Sequence, residues 1–189
     1  MKIFKSAAIT LLAGIAICGN VSAKPVDDYE LQLDYLHQDH ASKRRSVDNY
    51  NVTLFQKIHE HRALEVYRGL TFTRAVGFTN PPSYGGAHFD SEGVGFGPAM
   101  MFRWNQNISG KLDAAWDFSG SFMFYNKAHP AKGRAYGFLW RTGPRLTWNF
   151  SDDDAVSLGY YISHFSNGMK THNPGYNTLG FSLGVKHSF

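Results

Sequence analysis

The chain has a single cysteine among its 189 residues, and Cys18 lies in the apolar stretch near the start. That stretch has the parts of a secretory signal peptide: Lys2 and Lys5 precede an apolar core, and Ala23 supplies the small residue at the cleavage position. We therefore expect residues 1–23 to be a signal peptide and residues 24–189 to form one folded domain. Without Cys18 the exported chain has no cysteine, which excludes a disulfide framework.

Long apolar runs and excess charge are also lacking. After residue 23 no run approaches the roughly 18 apolar residues that predict a transmembrane helix. Removing Lys2 and Lys5 from the 19 basic residues leaves 17, against 15 acidic residues, and this balance does not indicate nucleic acid as a partner. The histidines lack the spacing of a zinc site, no glycine-rich loop has the context of a phosphate-binding turn, and no cofactor or metal is predicted.

What the sequence does have is apolar–polar alternation along nearly its whole length. A period of two sends successive side chains to opposite faces of a strand. One face carries large apolar and aromatic side chains, whereas the other carries glycine, serine and charged residues. Eight segments share this pattern, and they begin near Tyr29, Tyr50, Leu64, Val94, Leu112, Tyr136, Val156 and Leu179.

An exported chain with eight long strands of this kind is predicted to be all-β, an eight-stranded antiparallel transmembrane β-barrel of the outer membrane. The apolar face would meet lipid and the polar face would fill the interior. We expect Arg141 and Arg145 to form ion pairs inside it with Asp113 and Asp117. A soluble lipocalin-like barrel would need the apolar face inside, which would expose the face of glycines and charges. So narrow a barrel is no convincing channel.

The connections alternate in length, and Phe189 resembles the terminal strand signal of Gram-negative outer-membrane proteins. Short turns of such barrels face the periplasm and long loops face outward, so we expect both chain ends in the periplasm. The short connections are 59–62, 105–109 and 149–154, and the longer ones are 38–46, 77–92, 126–133 and 168–175.

The stretch SHFSNGMKTHNPGYN, residues 163–177, contains a candidate active site. His164 and Ser166 continue the apolar, outward face of their strand, and Asn177 belongs to the outward face of the last strand. A histidine can activate a serine nucleophile, Asn177 can orient the imidazole, and Asn167 or a nearby backbone N–H can stabilise an oxyanion. Polar residues at a strand end also fit an ordinary turn, so a non-catalytic structural or small-ligand-binding barrel remains the alternative.

The run SHFSNG, followed by NPGYN and a last strand ending in Phe189, resembles the PagL-type lipid A 3-O-deacylase (acyloxyacyl hydrolase) family. The resemblance implies an outer-membrane esterase that removes the 3-O-linked acyl chain of lipid A in lipopolysaccharide. It implies that His164 is the general base, Ser166 the nucleophile and Asn167 an oxyanion donor.

One position departs from that family. Its best-known members place a glutamate on the last strand to orient the histidine, whereas this sequence has Asn177 there and no acid after Asp154. An amide can orient a neutral imidazole but cannot offset the positive charge that develops on it. We expect Asn177 to serve as the orienting group, with Asp39 as the nearest alternative acid.

Basic residues of the long connections are the expected contacts for the lipid A phosphates, since charge-assisted hydrogen bonds to phosphate are strong. These are Lys43, Arg44, Arg45 and Lys170. The same residues would also contact anionic headgroups without selecting a substrate. The acyl-chain preference, and the choice between a monomer and a homodimer, do not follow from the sequence.

Overall fold

The computed structural model describes residues 28–38, 45–80, 85–168 and 173–189, so the expected signal peptide lies outside the described residues. No helix in these ranges is long and apolar enough to cross a membrane. The strands are β1 (Asp28–Gln38), β2 (Arg45–His61), β3 (Leu64–Thr79), β4 (Phe89–Asp90), β5 (Gly93–Ser109), β6 (Leu112–His129), β7 (Arg134–Asn149), β8 (Asp154–Ser166) and β9 (Tyr176–Ser188).

Eight of these strands form one closed antiparallel ring. Sequence neighbours pair with one another, β3 pairs with β5, and β9 returns to pair with β1. Closure leaves no unpaired strand edge, which is what a lipid environment demands of a sheet. The predicted eight-stranded antiparallel barrel is therefore confirmed. The sequence pattern did not predict β4, a two-residue strand that pairs with the end of β3, because two residues carry no periodicity.

The barrel wall has an apolar outside and a polar inside. In β1, Leu31 and Leu33 are 40% and 45% exposed, whereas Glu30 and Gln32 are 1% exposed. The short turns at 62–63, 110–111 and 150–153 lie at the same end as the start of β1 and the end of β9. The longer connections, including 167–175 between β8 and β9, lie at the opposite end, which we call the loop end.

An ion-pair network fills part of the barrel interior, in the half nearer the short turns. Arg103 contacts Glu30 at 2.7 Å and Asp117 at 2.8 Å, and Arg145 contacts Asp117 at 2.9 Å. All four side chains are almost completely buried. Such pairs fill the space that a channel would need.

The expected partners of the interior arginines are corrected in two places. Arg141 pairs across the barrel with Asp34 of β1. Asp113 lies near the short-turn end, where it accepts hydrogen bonds from Asn107 at 2.8 Å and Asn149 at 2.7 Å. Alternation predicts which face a side chain occupies, but it does not predict its height or its partner across the interior.

Candidate active site

Strands β8 and β9 bring His164 and Asn177 together on the outer face of the wall. The two residues are directly opposite each other in the antiparallel ladder. Their side chains meet with 2.6 Å between His164 Nδ1 and Asn177 Oδ1. Ser166 follows two residues later on the same face of β8, and it is half-buried like His164. The neighbours Ser163 and Phe165 point inward and are buried.

The contact with Asn177 assigns a tautomer to the His164 ring, given that the amide oxygen faces Nδ1. An amide oxygen only accepts hydrogen bonds, so Nδ1 must carry the proton and donate it to Asn177 Oδ1. In a neutral imidazole the other nitrogen, Nε2, is then unprotonated and can accept a proton. The structure contains no hydrogen bond between His164 and Ser166, both of which it describes. Catalytic hydrogen bonds are often long in the absence of substrate and shorten when it binds.

Gly175 keeps open the space beside these side chains. A Cβ atom at this position would lie 3.3 Å from Ser166 Cβ and 3.4 Å from His164 Cε1, and only 2.8 Å from the Phe165 carbonyl oxygen. The serine and the imidazole thus border one small volume that a larger residue would occupy. Arg45 reaches across from the start of β2 and donates a hydrogen bond to the Gly175 carbonyl, which holds this segment in place.

Asn167 takes a different place from the one expected of an oxyanion donor. Its side chain points into the barrel and is 2% exposed. Its Nδ2 donates to the carbonyls of Tyr136 at 2.6 Å and His129 at 3.1 Å, and its Oδ1 accepts from Arg134 N at 3.3 Å. The side-chain amide therefore ties the β6–β7 turn to β8, and the structure does not bring it to the face of His164 and Ser166.

The backbone of Asn167 has a separate partner. Its N–H donates to Asn173 Oδ1 at 2.7 Å. This N–H belongs to the residue after Ser166, the position that commonly supplies one oxyanion donor in serine hydrolases.

Strand β7 contributes two aromatic neighbours that the sequence pattern did not identify. Trp140 is directly opposite His164, and Phe138 is directly opposite Ser166. The Trp140 and His164 ring centroids are 5.7 Å apart, with 32° between the ring planes. These contacts depend on the register between β7 and β8, which alternation alone does not define.

Four of the expected site residues lie outside the described residues. They are Lys43, Arg44, Lys170 and the alternative acid Asp39. The outward acid Asp48 on β2 contacts His37 Nδ1 at 2.8 Å, so that pair is separate from His164. In the described ranges no group of three His, Cys, Asp or Glu side chains is arranged to hold a metal ion.

A closed eight-stranded barrel with an apolar exterior and a filled polar interior is an outer-membrane β-barrel. More specifically, a family model described as Lipid A 3-O-deacylase (PagL) matches residues 48–186. The match spans most of the chain, and the chain belongs to this family.

Two solved structures share the fold. The crystal structure of the outer membrane enzyme PagL matches with a TM-score of 0.52 and 15% identity, covering 86% of this chain and 99% of that one. The crystal structure of Neisserial surface protein A (NspA) matches with a TM-score of 0.51 and 8% identity, covering 86% and 95%. At these identities the similarity shows the fold alone. No curated protein sequence matches the chain.

Proposed function

We propose that this protein is an outer-membrane esterase that hydrolyses the 3-O-linked acyl chain of lipid A by a serine–histidine mechanism. Family membership supports the substrate class and the reaction. The observation that carries the mechanism is the 2.6 Å contact between His164 Nδ1 and Asn177 Oδ1, on the outward face that also holds Ser166. This contact leaves Nε2 as the nitrogen that would act as the base, and Ser166, two residues along the same strand face, carries the hydroxyl that it would activate.

In the first half-reaction Ser166 Oγ attacks the carbonyl carbon of the ester, and His164 Nε2 takes the hydroxyl proton. The resulting tetrahedral intermediate collapses by breaking the bond to the sugar oxygen. His164 returns its proton to that oxygen, which leaves as the free 3-hydroxyl of the glucosamine. The fatty acyl group remains as an ester on Ser166.

In the second half-reaction water attacks the acyl–Ser166 ester while His164 Nε2 takes a proton from the water. Collapse of this intermediate breaks the bond to Ser166 Oγ, and His164 protonates the serine. The products are a free 3-hydroxy fatty acid, the 3-O-deacylated lipid A and the regenerated enzyme. Throughout both steps the imidazole cycles between a neutral and a positively charged state.

The backbone N–H of Asn167 is the oxyanion donor that we propose in place of its side chain. It lies next to the nucleophile and has a partner, Asn173 Oδ1, that a developing oxyanion can replace. Each good oxyanion donor contributes about 10²–10³ to the rate in characterised hydrolases. Asn167 would thus contribute twice, through its buried amide, which orients the strand end, and through its main chain.

The outward site would open to the lipid beside the barrel, at the loop end of the wall. With both chain ends in the periplasm, as the alternation of turns and loops predicts, the loop end reaches the outer leaflet, where lipid A resides. The phosphates of lipid A would meet the basic groups of these connections, Arg45 among the described residues and Lys43, Arg44 and Lys170 outside them.

Mass spectrometry of lipid A from Gram-negative cells that express the wild type or Ser166→Ala tests the proposal. We expect one 3-hydroxyacyl group to be lost only with the wild type. Ser163→Ala is the matched control, because Ser163 lies on the same strand but points inward, with no hydrogen bond to its Oγ. Identical lipid A from cells with wild type and Ser166→Ala, both folded in the outer membrane, would instead favour the non-catalytic barrel.

A further inference from the structure

The His164 ring lies between two neighbours of different chemistry. Asn177 on β9 accepts the Nδ1 proton, and Trp140 on β7 places its indole beside the ring, with 5.7 Å between centroids and 32° between planes. Both neighbours are directly opposite His164 in the ladder. The positions of all three side chains are therefore defined by the backbone pairing of three adjacent strands.

The mechanism proposed above requires a positive charge on this ring, and Asn177 does not neutralise it. An amide oxygen is a dipole without net charge. No acid follows Asp154 in the sequence. Among the described residues the outward carboxylate of Asp48 is bonded to His37 at 2.8 Å. Within the described part of the wall, no carboxylate thus contacts the imidazole that becomes cationic.

We propose that Trp140 is a positioning residue that stabilises the His164 imidazolium through its π face. This inference rests on the proposed function. The face of an indole carries negative electrostatic potential and attracts a cation that lies over it within about 6 Å of the ring centroid, Trp more strongly than Tyr or Phe. The neutral imidazole gains little from the same contact. Trp140 therefore favours the charged state in which His164 holds the serine proton.

The four tryptophans of the chain differ in height along the wall. Trp104, Trp116 and Trp148 lie close to the short-turn end of their strands, where aromatic residues commonly form an interfacial girdle. Trp140 lies further toward the loop end of β7, opposite His164. Trp148 therefore offers, on the same strand, a tryptophan that is remote from the imidazole.

Two measurements on purified barrels in detergent test the proposal, with Trp140→Phe and Trp140→Leu compared with the wild type. Loss of the indole should reduce turnover about three- to thirtyfold in Trp140→Leu. The turnover of Trp140→Phe should lie between those of Trp140→Leu and the wild type. The acid limb of the pH–rate profile should move to lower pH by about half a unit to one unit, because the charged ring is less favoured. Trp148→Leu, on the same strand at the opposite end, is the matched control and should change neither.

NMR titration of the histidine rings supplies a readout that does not depend on catalysis. The His164 resonance, assigned with His164→Gln, should titrate at lower pH in Trp140→Leu than in the wild type and Trp148→Leu. An unchanged titration of His164 would overturn the proposal. So would an equal loss of turnover in Trp140→Phe and Trp140→Leu with no shift of the acid limb, because that result would show that Trp140 only packs against its neighbours. A shifted titration in a protein without Ser166-dependent deacylation would support the Trp140–His164 interaction and refute the proposed function.

Discussion

Replacing Asn177 with aspartate isolates the electrostatic component of the proposed mechanism. The two side chains have the same shape, so aspartate can keep the oxygen that accepts the His164 Nδ1 proton at 2.6 Å. The change adds one negative charge next to a ring that becomes positive during the reaction. It should therefore stabilise the charged intermediate more than the resting enzyme, and this difference raises kcat.

The size of the gain follows from Coulomb's law and from the exposure of the site. Unit charges about 4 Å apart interact by about 1 kcal/mol in bulk water and about 4 kcal/mol near a protein surface. Asn177 is exposed at the loop end of the wall, at the level proposed for the hydrated headgroups of the outer leaflet, so we take the lower part of this range. A stabilisation of about 1–2 kcal/mol corresponds to a gain of about 5- to 30-fold in rate.

The assay is release of 3-hydroxy fatty acid from lipid A in detergent micelles by the purified, folded barrel. Asn173→Asp is the matched control: it adds the same charge in the connection that precedes β9 and keeps the oxygen that accepts from Asn167 N, but it does not contact His164. We expect a gain from Asn177→Asp, a loss from Asn177→Ala, and no gain from Asn173→Asp. Wild-type rates in both Asn177 variants would refute the orienting role of Asn177.

Three further substitutions test the surroundings of the site and the ion-pair network of the interior. Gly175→Ala should reduce activity at least about tenfold, measured in the same assay, because its Cβ would lie 2.8 Å from the Phe165 carbonyl oxygen and 3.3 Å from Ser166 Cβ, so that the strand end carrying Ser166 must shift. Asn167→Ala should lower the free energy of unfolding in urea by about 1–3 kcal/mol, since it leaves two buried carbonyls without a donor; a loss of activity at unchanged stability would instead restore the side chain as oxyanion donor. Arg145→Met should destabilise the barrel by about 3 kcal/mol in the same unfolding experiment, because it removes the cation between Glu30 and Asp117, and wild-type stability would contradict that role.

The parts of the fold that repeat every two residues could be read from the sequence. Alternation predicted the eight long strands. It also predicted that His164, Ser166 and Asn177 face outward, because the alternation of inward and outward side chains in the middle of each strand continues to its end. The relation between His164 and Asn177 across β8 and β9 could be anticipated as well, since a single hairpin connects these two strands.

Contacts that depend on register or on the barrel interior could not be read in the same way. Trp140 meets His164 only because of the pairing between β7 and β8. Arg141 forms an ion pair with Asp34 across the barrel interior, and the spacing of residues along one strand does not predict such a pair. The side chain of Asn167 is held by carbonyls of His129 and Tyr136, so its orientation is a property of the β6–β7 turn rather than of the motif around Ser166.

The most direct test of the central proposal is covalent labelling of Ser166 by a fluorophosphonate ester, an electrophile that reacts with activated serines. The purified barrel would be incubated with the probe, digested and mapped by mass spectrometry. We predict that the adduct forms on Ser166 in the wild type, is absent on Ser163, and is lost in His164→Gln although that barrel still folds. An unlabelled Ser166 in a barrel that deacylates lipid A, or equal labelling in His164→Gln, would contradict a serine nucleophile activated by His164.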